Sequence, residues 1–217
     1  VHIYGHPVDM DPLIALAEKY HLTIIEDAAE VHGAEYLTNR FGAEPLWKRC
    51  GGMGDINAFS FYANKLITTG EGGMLLTNSD QYAEKARSLR NLCFRAERRF
   101  YDTDIGYKFR LTNLQAALGL AQLERFEEII EKKRWLGKAY TERLRDIEVL
   151  QLPVEEPWAR QVYWMYSIVL DESTGMDAVE FARRLDGLGI QTRPFFLGMH
   201  EQPVFHKRGM FLNEHYP

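Results

Sequence analysis

The chain has 217 residues, of which 46% are hydrophobic and 26% are charged, and these values are typical of a folded globular protein. Its 26 Lys and Arg residues against 31 Asp and Glu residues give a net charge of −5. This balance argues against a nucleic-acid binder, because such proteins usually present a basic surface. No apolar run approaches the roughly 18 residues that a membrane-spanning helix needs. The two cysteines, Cys50 and Cys93, are too few for a disulfide framework, so we expect a reducing compartment, most simply the cytoplasm.

The two ends of the sequence indicate an internal piece of a longer protein. Val1 stands where an initiator Met would be, and VHIYGHPVDMDP has neither the basic nor the apolar region of a signal peptide. VHIYG predicts a strand that begins before Val1, and the tail FLNEHYP has no signal for a final helix or strand. We therefore expect an incomplete fold.

Strand and helix signals alternate in the first half of the chain. Asp11 followed by Pro12 predicts the start of a helix whose apolar face carries Leu13, Leu16, Ala17 and Tyr20. Ser79 predicts the cap of a second helix that reaches about residue 92. The alternation favours an α/β fold with a mainly parallel sheet. Short strands are predicted over residues 1–4, 23–25, 58–61 and 73–77.

The second half predicts a long helix and then a small α/β unit. Apolar residues at spacings of three and four predict a helix from Asn113 to about residue 144, of a length that suits a connection between domains. We expect strands over residues 162–170 and 190–193, and between them a helix over residues 177–188 with Gly189 as its C-cap. The predicted parts are residues 1–112, the helix 113–144 and a smaller unit over 145–217.

Lys65 is the first candidate for chemistry, in the stretch FSFYANKLITTGEGG. It follows a predicted strand and precedes a glycine-rich turn, and ligands bind at the carboxyl ends of strands in open α/β sheets. A partly desolvated lysine can lose its proton and form a Schiff base with an aldehyde. The alternative is an ordinary solvated lysine.

Two further polar residues end predicted strands. Asp27 ends an apolar strand, where its carboxylate could pair with a cationic ring nitrogen, or could act only as a turn residue. Ser60 lies five residues before Lys65, and its hydroxyl could donate to a phosphate oxygen or be an ordinary polar strand residue. We expect Asp27 and Lys65 to share one edge of a sheet. No group of His, Cys or acidic residues has the spacing of a metal site, so none is predicted.

Together these motifs resemble the DegT/DnrJ/EryC1/StrS family of sugar aminotransferases, fold type I enzymes that use pyridoxal 5'-phosphate (PLP). The resemblance covers almost the whole chain. Within the family, IYGHP, DAAE and NKLITTGEGG are most similar to the branch that aminates a GDP-linked 4-keto-6-deoxy sugar with glutamate as donor. The motifs that carry the resemblance are IYGHPVDMDPLIALAEKY, IEDAAEVHGAEY, GDINAFSFYANKLITTGEGGMLLT, GYKFRLTNLQAALGLAQLE and GIQTRPFF.

The resemblance implies a role for each candidate. Lys65 falls on the Schiff-base lysine, Asp27 on the aspartate that pairs with the pyridine nitrogen, and Ser60 on the serine that binds the cofactor phosphate. Glu30 falls where most of the family has Gln near the pyridine ring, and His32 is either a partner of Asp27 or a structural histidine. It also implies that residues 1–112 are the C-terminal part of the large PLP-binding domain, and that the enzyme is a homodimer with shared sites. Neither a nucleic-acid partner nor a membrane is expected.

Several positions depart from the family's pattern or leave alternatives open. Lys108, in GYKFR, replaces an Asn that reaches the PLP phosphate of the neighbouring subunit. Residues 37–55 are expected to form a surface loop insertion, with a remodelled substrate wall as the alternative. Arg193, in QTRPFF, is a candidate for binding the glutamate carboxylate or the nucleotide, or for a structural ion pair. A basic and aromatic loop is a candidate for diphosphate binding, or is a solvated loop: Arg95, Arg98, Arg99, Phe100 and Tyr101.

Three rival functions remain at this point. A sugar dehydratase of the same family would carry a histidine in place of Lys65, so the lysine argues against it. Another aminotransferase of the family would act at C3 or C4 of a dTDP- or UDP-linked sugar. A non-catalytic interaction module would bind no cofactor. If the polypeptide comprises these 217 residues alone, we expect weak or absent PLP binding.

Overall fold

The computed structural model describes residues 1–94, 98, 100–102 and 104–216, and these form two compact units. Unit 1 comprises Val1–Asp146 and Pro153–Tyr166, and unit 2 comprises Ile147–Leu152 and Ser167–Pro217. None of the helices among the described residues is long and apolar enough to cross a membrane. The helices are α1 (Met10–Tyr20), α2 (Asp80–Arg90), α3 (Asn113–Leu123), α4 (Phe126–Leu144), α5 (Ala178–Gly187) and α6 (Pro203–His206). The strands are β1 (Ile25–Asp27), β2 (Glu35–Thr38), β3 (Leu46–Arg49), β4 (Ile56–Ser60), β5 (Gly73–Leu76), β6 (Leu150–Gln151), β7 (Ala159–Arg160) and β8 (Val169–Leu170).

The sheet that carries the candidate site has the order β1-β4-β5 and belongs to unit 1. Strand β1 runs parallel to β4, with Asp27 beside Ala58, whereas β4 and β5 are antiparallel, with Ser60 opposite Gly73. The α/β class is confirmed, but within this chain the sheet is mixed and not mainly parallel. The reason is the connection between β4 and β5, which folds back as a turn, whereas parallel neighbours need a longer crossover that is usually a helix.

A second sheet of unit 1 contains the stretch that was expected to be a surface loop. Strand β2 pairs antiparallel with β3 and β7, in the order β3-β2-β7. Much of the stretch 37–55 therefore belongs to the hairpin that β2 and β3 form. The expected surface loop was wrong for the residues that lie in these two strands. Tyr36 and Thr38 alternate inward along β2 and are buried, which is the pattern of a half-buried strand.

Helix α1 begins earlier and faces the core differently from the prediction. Its N-cap is Asp9, and the carboxylate of Asp11 instead accepts a hydrogen bond from the Thr38 hydroxyl at 2.6 Å. The predicted face was right for Ala17 and wrong for its other three residues. The buried stripe is Met10, Ile14 and Ala17, while Leu13, Leu16 and Tyr20 are exposed.

The long helix predicted from residue 113 to 144 is two helices, α3 and α4. A capping box starts α3, in which Thr112 and Gln115 satisfy each other's backbone N–H groups. Arg125 leaves the helical conformation, with φ −110° and ψ 20°. The apolar spacing continues across this break, which is why the sequence does not signal it.

Three predicted strands are wrong in extent or absent. Residues 1–4 do not form a strand: Ile3 makes only an isolated bridge to His6, across a turn at residues 4 and 5. Of residues 162–170, only Val169–Leu170 is a strand. Residues 162–164 have irregular backbone and are buried in unit 1. Residues 190–193 have no strand neighbour within the described part of unit 2. Helix α5 was predicted correctly, with Asp177 as its N-cap and Gly189 in the left-handed conformation after its end.

Candidate active site

The turn between β4 and β5 holds Lys65 in a closed backbone loop. The Phe61 N–H donates to the Gly72 carbonyl at 2.8 Å, and the Lys65 N–H donates to the Tyr62 carbonyl at 3.0 Å. Gly72 has φ +145°, and a Cβ there would lie 2.7 Å from Leu111 Cδ2. Only glycine fits this backbone, so the GEGG run serves to close the turn around the lysine.

The Lys65 side chain is 10% exposed and points at acidic groups. Its Nζ lies 3.8 Å from Glu30 Oε1. Burial lowers the pKa of Lys65, while the charges of Glu30 and Asp27 raise it, and the net result is a pKa below the usual range. The amine therefore loses its proton more readily than a surface lysine does.

Asp27 stands at the carboxyl end of β1, next to the strand that leads to Lys65. Its Oδ1 accepts a hydrogen bond from the Ala29 N–H at 3.0 Å, which fixes the carboxylate in an Asx-type turn. Its charge acts on the Lys65 amine. The structure thus brings Asp27, Glu30 and Lys65 together at one edge of the sheet, where open α/β sheets bind ligands.

Ser60 and His32 border this group of charges. Ser60 Oγ accepts from the Tyr62 N–H at 3.3 Å, an arrangement that leaves its O–H group to donate. His32 is 3% exposed, and its Nε2 is buried with no hydrogen-bond partner among the described residues. Burial and the nearby Lys65 charge lower the pKa of His32 to about 4, although a hydrogen bond with the Ser60 backbone opposes them. His32 is therefore neutral at physiological pH.

A buried hydrogen-bond network supports the strand that carries Asp27. Burial would raise the pKa of Glu26, but hydrogen bonds from His2 and from the N–H groups of Gly51, Met53 and Gly54 lower it below its usual range. The His2 Nε2 lies 2.9 Å from Glu26 Oε1. This network ties β1 to the chain before β4.

The same network contains a cluster with the composition of a metal site, although no metal site was predicted. The ligand atoms of His2, Glu26 and Cys50 lie within 4.8 Å of one another. However, His2 Nδ1 already accepts from the Val8 N–H at 3.0 Å, so its Nε2 carries the hydrogen that faces Glu26. Burial also raises the pKa of the Cys50 thiol, with the Glu26 charge adding to the effect. These donors are arranged for hydrogen bonding within the protein.

The other candidate residues make local contacts of their own or lie outside the described residues. Lys108 is exposed in unit 1, and its ammonium donates to the Arg110 carbonyl at 3.3 Å. Arg193 is exposed in unit 2, where its guanidinium donates to the Thr192 carbonyl at 2.8 Å. In the basic and aromatic loop, Arg98 lies over the Tyr101 ring at 4.7 Å from its centroid. Arg95 and Arg99 lie outside the described residues.

Sequence reasoning missed Trp164, whose ring lies over the Lys65 ammonium at 3.8 Å from the ring centroid. The motif FSFYANKLITTGEGG gives no signal for this contact. Trp164 belongs to residues 162–166, which the sequence predicts as a strand, and only the tertiary fold brings them to the lysine turn.

The described residues fit PLP. A buried amine with a lowered pKa suits an aldehyde, the Asp27 carboxylate suits a cationic ring nitrogen, and the Ser60 hydroxyl suits a phosphate oxygen. The buried, unpartnered Nε2 of His32 adds a polar atom beside this group. Together these groups have the chemistry that a PLP site requires.

Comparison with known proteins identifies the family. Residues 1–217 match the model of the DegT/DnrJ/EryC1/StrS aminotransferase family, and the chain belongs to this family. It is similar to the GDP-perosamine synthase of Caulobacter vibrioides, with 40% identity over 206 residues that cover 94% of this chain and 53% of that protein. The chain spans about half the length of the curated relatives it matches.

Solved structures agree with this assignment. The crystal structure of S. venezuelae DesV in complex with a ketimine intermediate superimposes with a TM-score of 0.81 at 31% identity, covering 95% of this chain and 52% of DesV. The structure of DesI in the presence of its TDP-sugar product gives a TM-score of 0.79 at 26% identity, covering 100% of this chain and 52% of DesI. The fold type I expectation is confirmed.

Proposed function

We propose that this protein is a PLP-dependent aminotransferase that moves the amino group of glutamate to a nucleotide-linked 4-keto-6-deoxy sugar, with GDP-perosamine as the product. The observation that carries the proposal is the buried Lys65 amine, which faces Glu30 and Asp27 at the carboxyl end of the parallel pair β1 and β4. The similarity to GDP-perosamine synthases supports the choice of sugar.

Each side chain has a defined task in this reaction. When bound, PLP supplies an electron sink that makes the proton next to the amine removable. Lys65 holds and moves that proton at Nζ, and its lowered pKa makes the neutral, basic form more accessible. Asp27 keeps a positive charge on the ring nitrogen. Ser60 donates to a phosphate oxygen.

The reaction has two halves that share these groups. In the first, glutamate gives up its amino group to the cofactor, takes up the oxygen of a water molecule and leaves as 2-oxoglutarate. In the second, the keto carbon of the sugar takes up the amino group and releases its oxygen as water. Since one product leaves before the second substrate enters, we expect ping-pong kinetics.

The remaining assignments extend the proposal beyond the Lys65 cluster. Arg193 binds the glutamate carboxylate or the nucleotide, and Lys108 meets a cofactor phosphate in a neighbouring subunit as a point charge. The role of Lys108 requires a homodimer with shared sites, which the family resemblance implies. The division into residues 1–112, 113–144 and 145–217 stays a prediction.

A related substrate is the second candidate. DesI was solved in the presence of a TDP-sugar product, and it superimposes on the full length of this chain. The same Lys65 chemistry would then act on a dTDP- or UDP-linked keto sugar at C3 or C4. Only substrate comparison separates the two.

The first experiment identifies the reactive lysine. PLP is added to the protein, the visible spectrum is recorded, and borohydride reduction is followed by peptide mapping. We expect an absorbance band and a label on Lys65. Lys133 is the matched control because burial also lowers its pKa, but carboxylates do not contribute to that shift. Lys133→Arg should keep the band, and Lys65→Arg should abolish it.

Turnover is then measured with glutamate and a panel of GDP-, dTDP- and UDP-linked keto sugars. We expect Lys65→Ala to lower the rate by at least about 10³-fold, because it removes both the nucleophile and the proton carrier. A label on Lys133, or no label at all in the intact protein, would contradict the proposal and favour a non-catalytic interaction module.

A further inference from the structure

Trp164 contacts both the amine of Lys65 and the backbone of the residue before it. Its Nε1–H donates to the Asn64 carbonyl at 2.9 Å, across 100 positions of sequence. The face of the same ring lies 3.8 Å from the Lys65 ammonium, measured to the ring centroid. Because Trp164 is 6% exposed, its orientation is set by packing. One rigid side chain therefore holds both the backbone before the lysine and the amine at the end of the side chain.

Glu30 is the second side chain that lies close to the Lys65 amine. Its Oε1 lies 3.8 Å from Lys65 Nζ, while its Oε2 accepts a hydrogen bond from the Tyr4 N–H at 2.9 Å. The ring of Tyr4 stacks on Trp164, with centroids 6.5 Å apart and planes at 13°. Tyr4 thus contacts Glu30 through its N–H group and Trp164 through its ring. These contacts fix the positions of the two side chains relative to each other.

We propose that Trp164 and Glu30 form a holding site for the free Lys65 amine, in which Trp164 is a positioning residue. The inference rests on the proposed function, in which Lys65 must leave its bond to the cofactor and later return. A lysine stem has several rotatable bonds and would otherwise spread over many conformers. An aromatic face attracts an ammonium group, and a carboxylate does the same, so the site keeps the protonated amine beside the position where it reacts.

The contact is tested directly by NMR on the cofactor-free protein with ¹³C-labelled lysine. An amine stacked over an indole places its ε-methylene protons in the ring's shielding region, so we expect the Lys65 signal upfield of the other lysine signals. Lys65→Arg identifies the signal by removing it. Trp164→Leu should return it to the position of the other lysines.

Two variants serve as controls. Trp47 faces Arg160 at 3.9 Å from the ring centroid, a similar pair elsewhere in unit 1, so Trp47→Phe should leave the Lys65 signal unshifted. If Trp164→Leu does not fold, Trp164→Phe keeps an aromatic face without the N–H group and should retain part of the upfield shift. Two results would overturn the holding site. One is a wild-type Lys65 signal at the chemical shift of the other lysines, and the other is a Lys65 chemical shift that stays the same in both Trp164 variants.

A kinetic readout tests the consequence. The rate at which added PLP develops the absorbance of the protein-bound form should fall about 2- to 30-fold in Trp164→Leu, less in Trp164→Phe, and should stay the same in Trp47→Phe. An unchanged rate in Trp164→Leu would contradict the positioning role. A borohydride label on Lys65 without the upfield signal would remove the holding site alone. The upfield signal without any PLP adduct would instead remove the proposed function.

Discussion

Units 1 and 2 bury their side chains to very different extents. In unit 1, Ala28, Val31 and Val162 have 0% exposure, and the charged Glu26 is also buried. In unit 2, no described residue is buried, and Phe181 of α5 is only half-buried. Helix periodicity of the same kind led to the predictions in both units. Periodicity therefore identifies which face of an element is apolar, but not whether another layer covers that face.

The largest expected difference between the units is the loss of unfolding free energy when a large apolar side chain is replaced by Ala. Ile130 is 2% exposed and packs on Gly33, so Ile130→Ala should lower the free energy of unfolding of unit 1 by about 2–5 kcal/mol. Phe181→Ala in unit 2 should cost about 1 kcal/mol, because the ring is already partly hydrated.

Two probes can follow the units separately. All four tryptophans lie in unit 1, so tryptophan fluorescence in urea reports its unfolding, while amide hydrogen exchange of α5 reports unit 2. Equal losses of unfolding free energy in Ile130→Ala and Phe181→Ala would contradict the difference in burial between the units, since they would mean that unit 2 has a core of its own.

Acid should affect unit 1 first. The pKa of His32 is lowered to about 4 from an ordinary value of 6.5, so the unfolded state takes up the proton first and stability is lost as pH falls through this window. We expect a loss of about 2 kcal/mol, given about 1.4 kcal/mol per pKa unit and some relaxation of the buried site. Glu26 acts in the same direction below its ordinary value of 4.5, because its pKa is also lowered.

The pH effect is measured as the urea midpoint of tryptophan fluorescence between pH 7.5 and 4.5. His32→Gln should flatten the slope between pH 6.5 and 4.5, because the amide does not titrate. Exchange of α5 should not change in this window until unit 1 unfolds, because His32 and Glu26 both belong to unit 1. A slope that survives in His32→Gln would assign the effect to another group.

The smallest expected effects are those of the helix caps. Thr112 caps α3 in unit 1 and Asp177 caps α5 in unit 2, each by accepting a backbone hydrogen bond. Replacing either residue by Ala should cost about 1 kcal/mol. Thr112→Ala should shift the fluorescence midpoint, whereas Asp177→Ala should only accelerate exchange of α5. A fluorescence shift in Asp177→Ala would mean that the two units unfold together.

The candidate site was predictable as far as its residues follow a local pattern. Asp27 and Ser60 are the last residues of β1 and β4, Lys65 follows in the turn after β4, and strand ends meet at one edge of a sheet. The lysine turn was equally readable, because Gly72 needs a positive φ. Lys108 and Arg193 carry roles that depend on neighbouring structure, and these roles stay predictions.

Other features were wrong for a common reason. Residues 162–164 have the composition of a strand, yet they are buried as irregular backbone, and the Trp164 indole bonds to Asn64. On α1, the apolar spacing did not tell which side of the helix the rest of the chain covers. In each case, parts of the chain that are distant in sequence decided which side chains are buried.

The sequence by itself determined the class of fold, the family and the lysine for which we propose the chemistry, because these depend on short motifs and on the order of strands and helices. Tertiary structure alone decided how that lysine is held. Trp164, Glu30 and Tyr4 surround the amine only after the chain has folded, and the pKa of Lys65 reflects burial and charges that come from separate elements. Contacts of this kind depend on three-dimensional distance, which no spacing along the chain specifies.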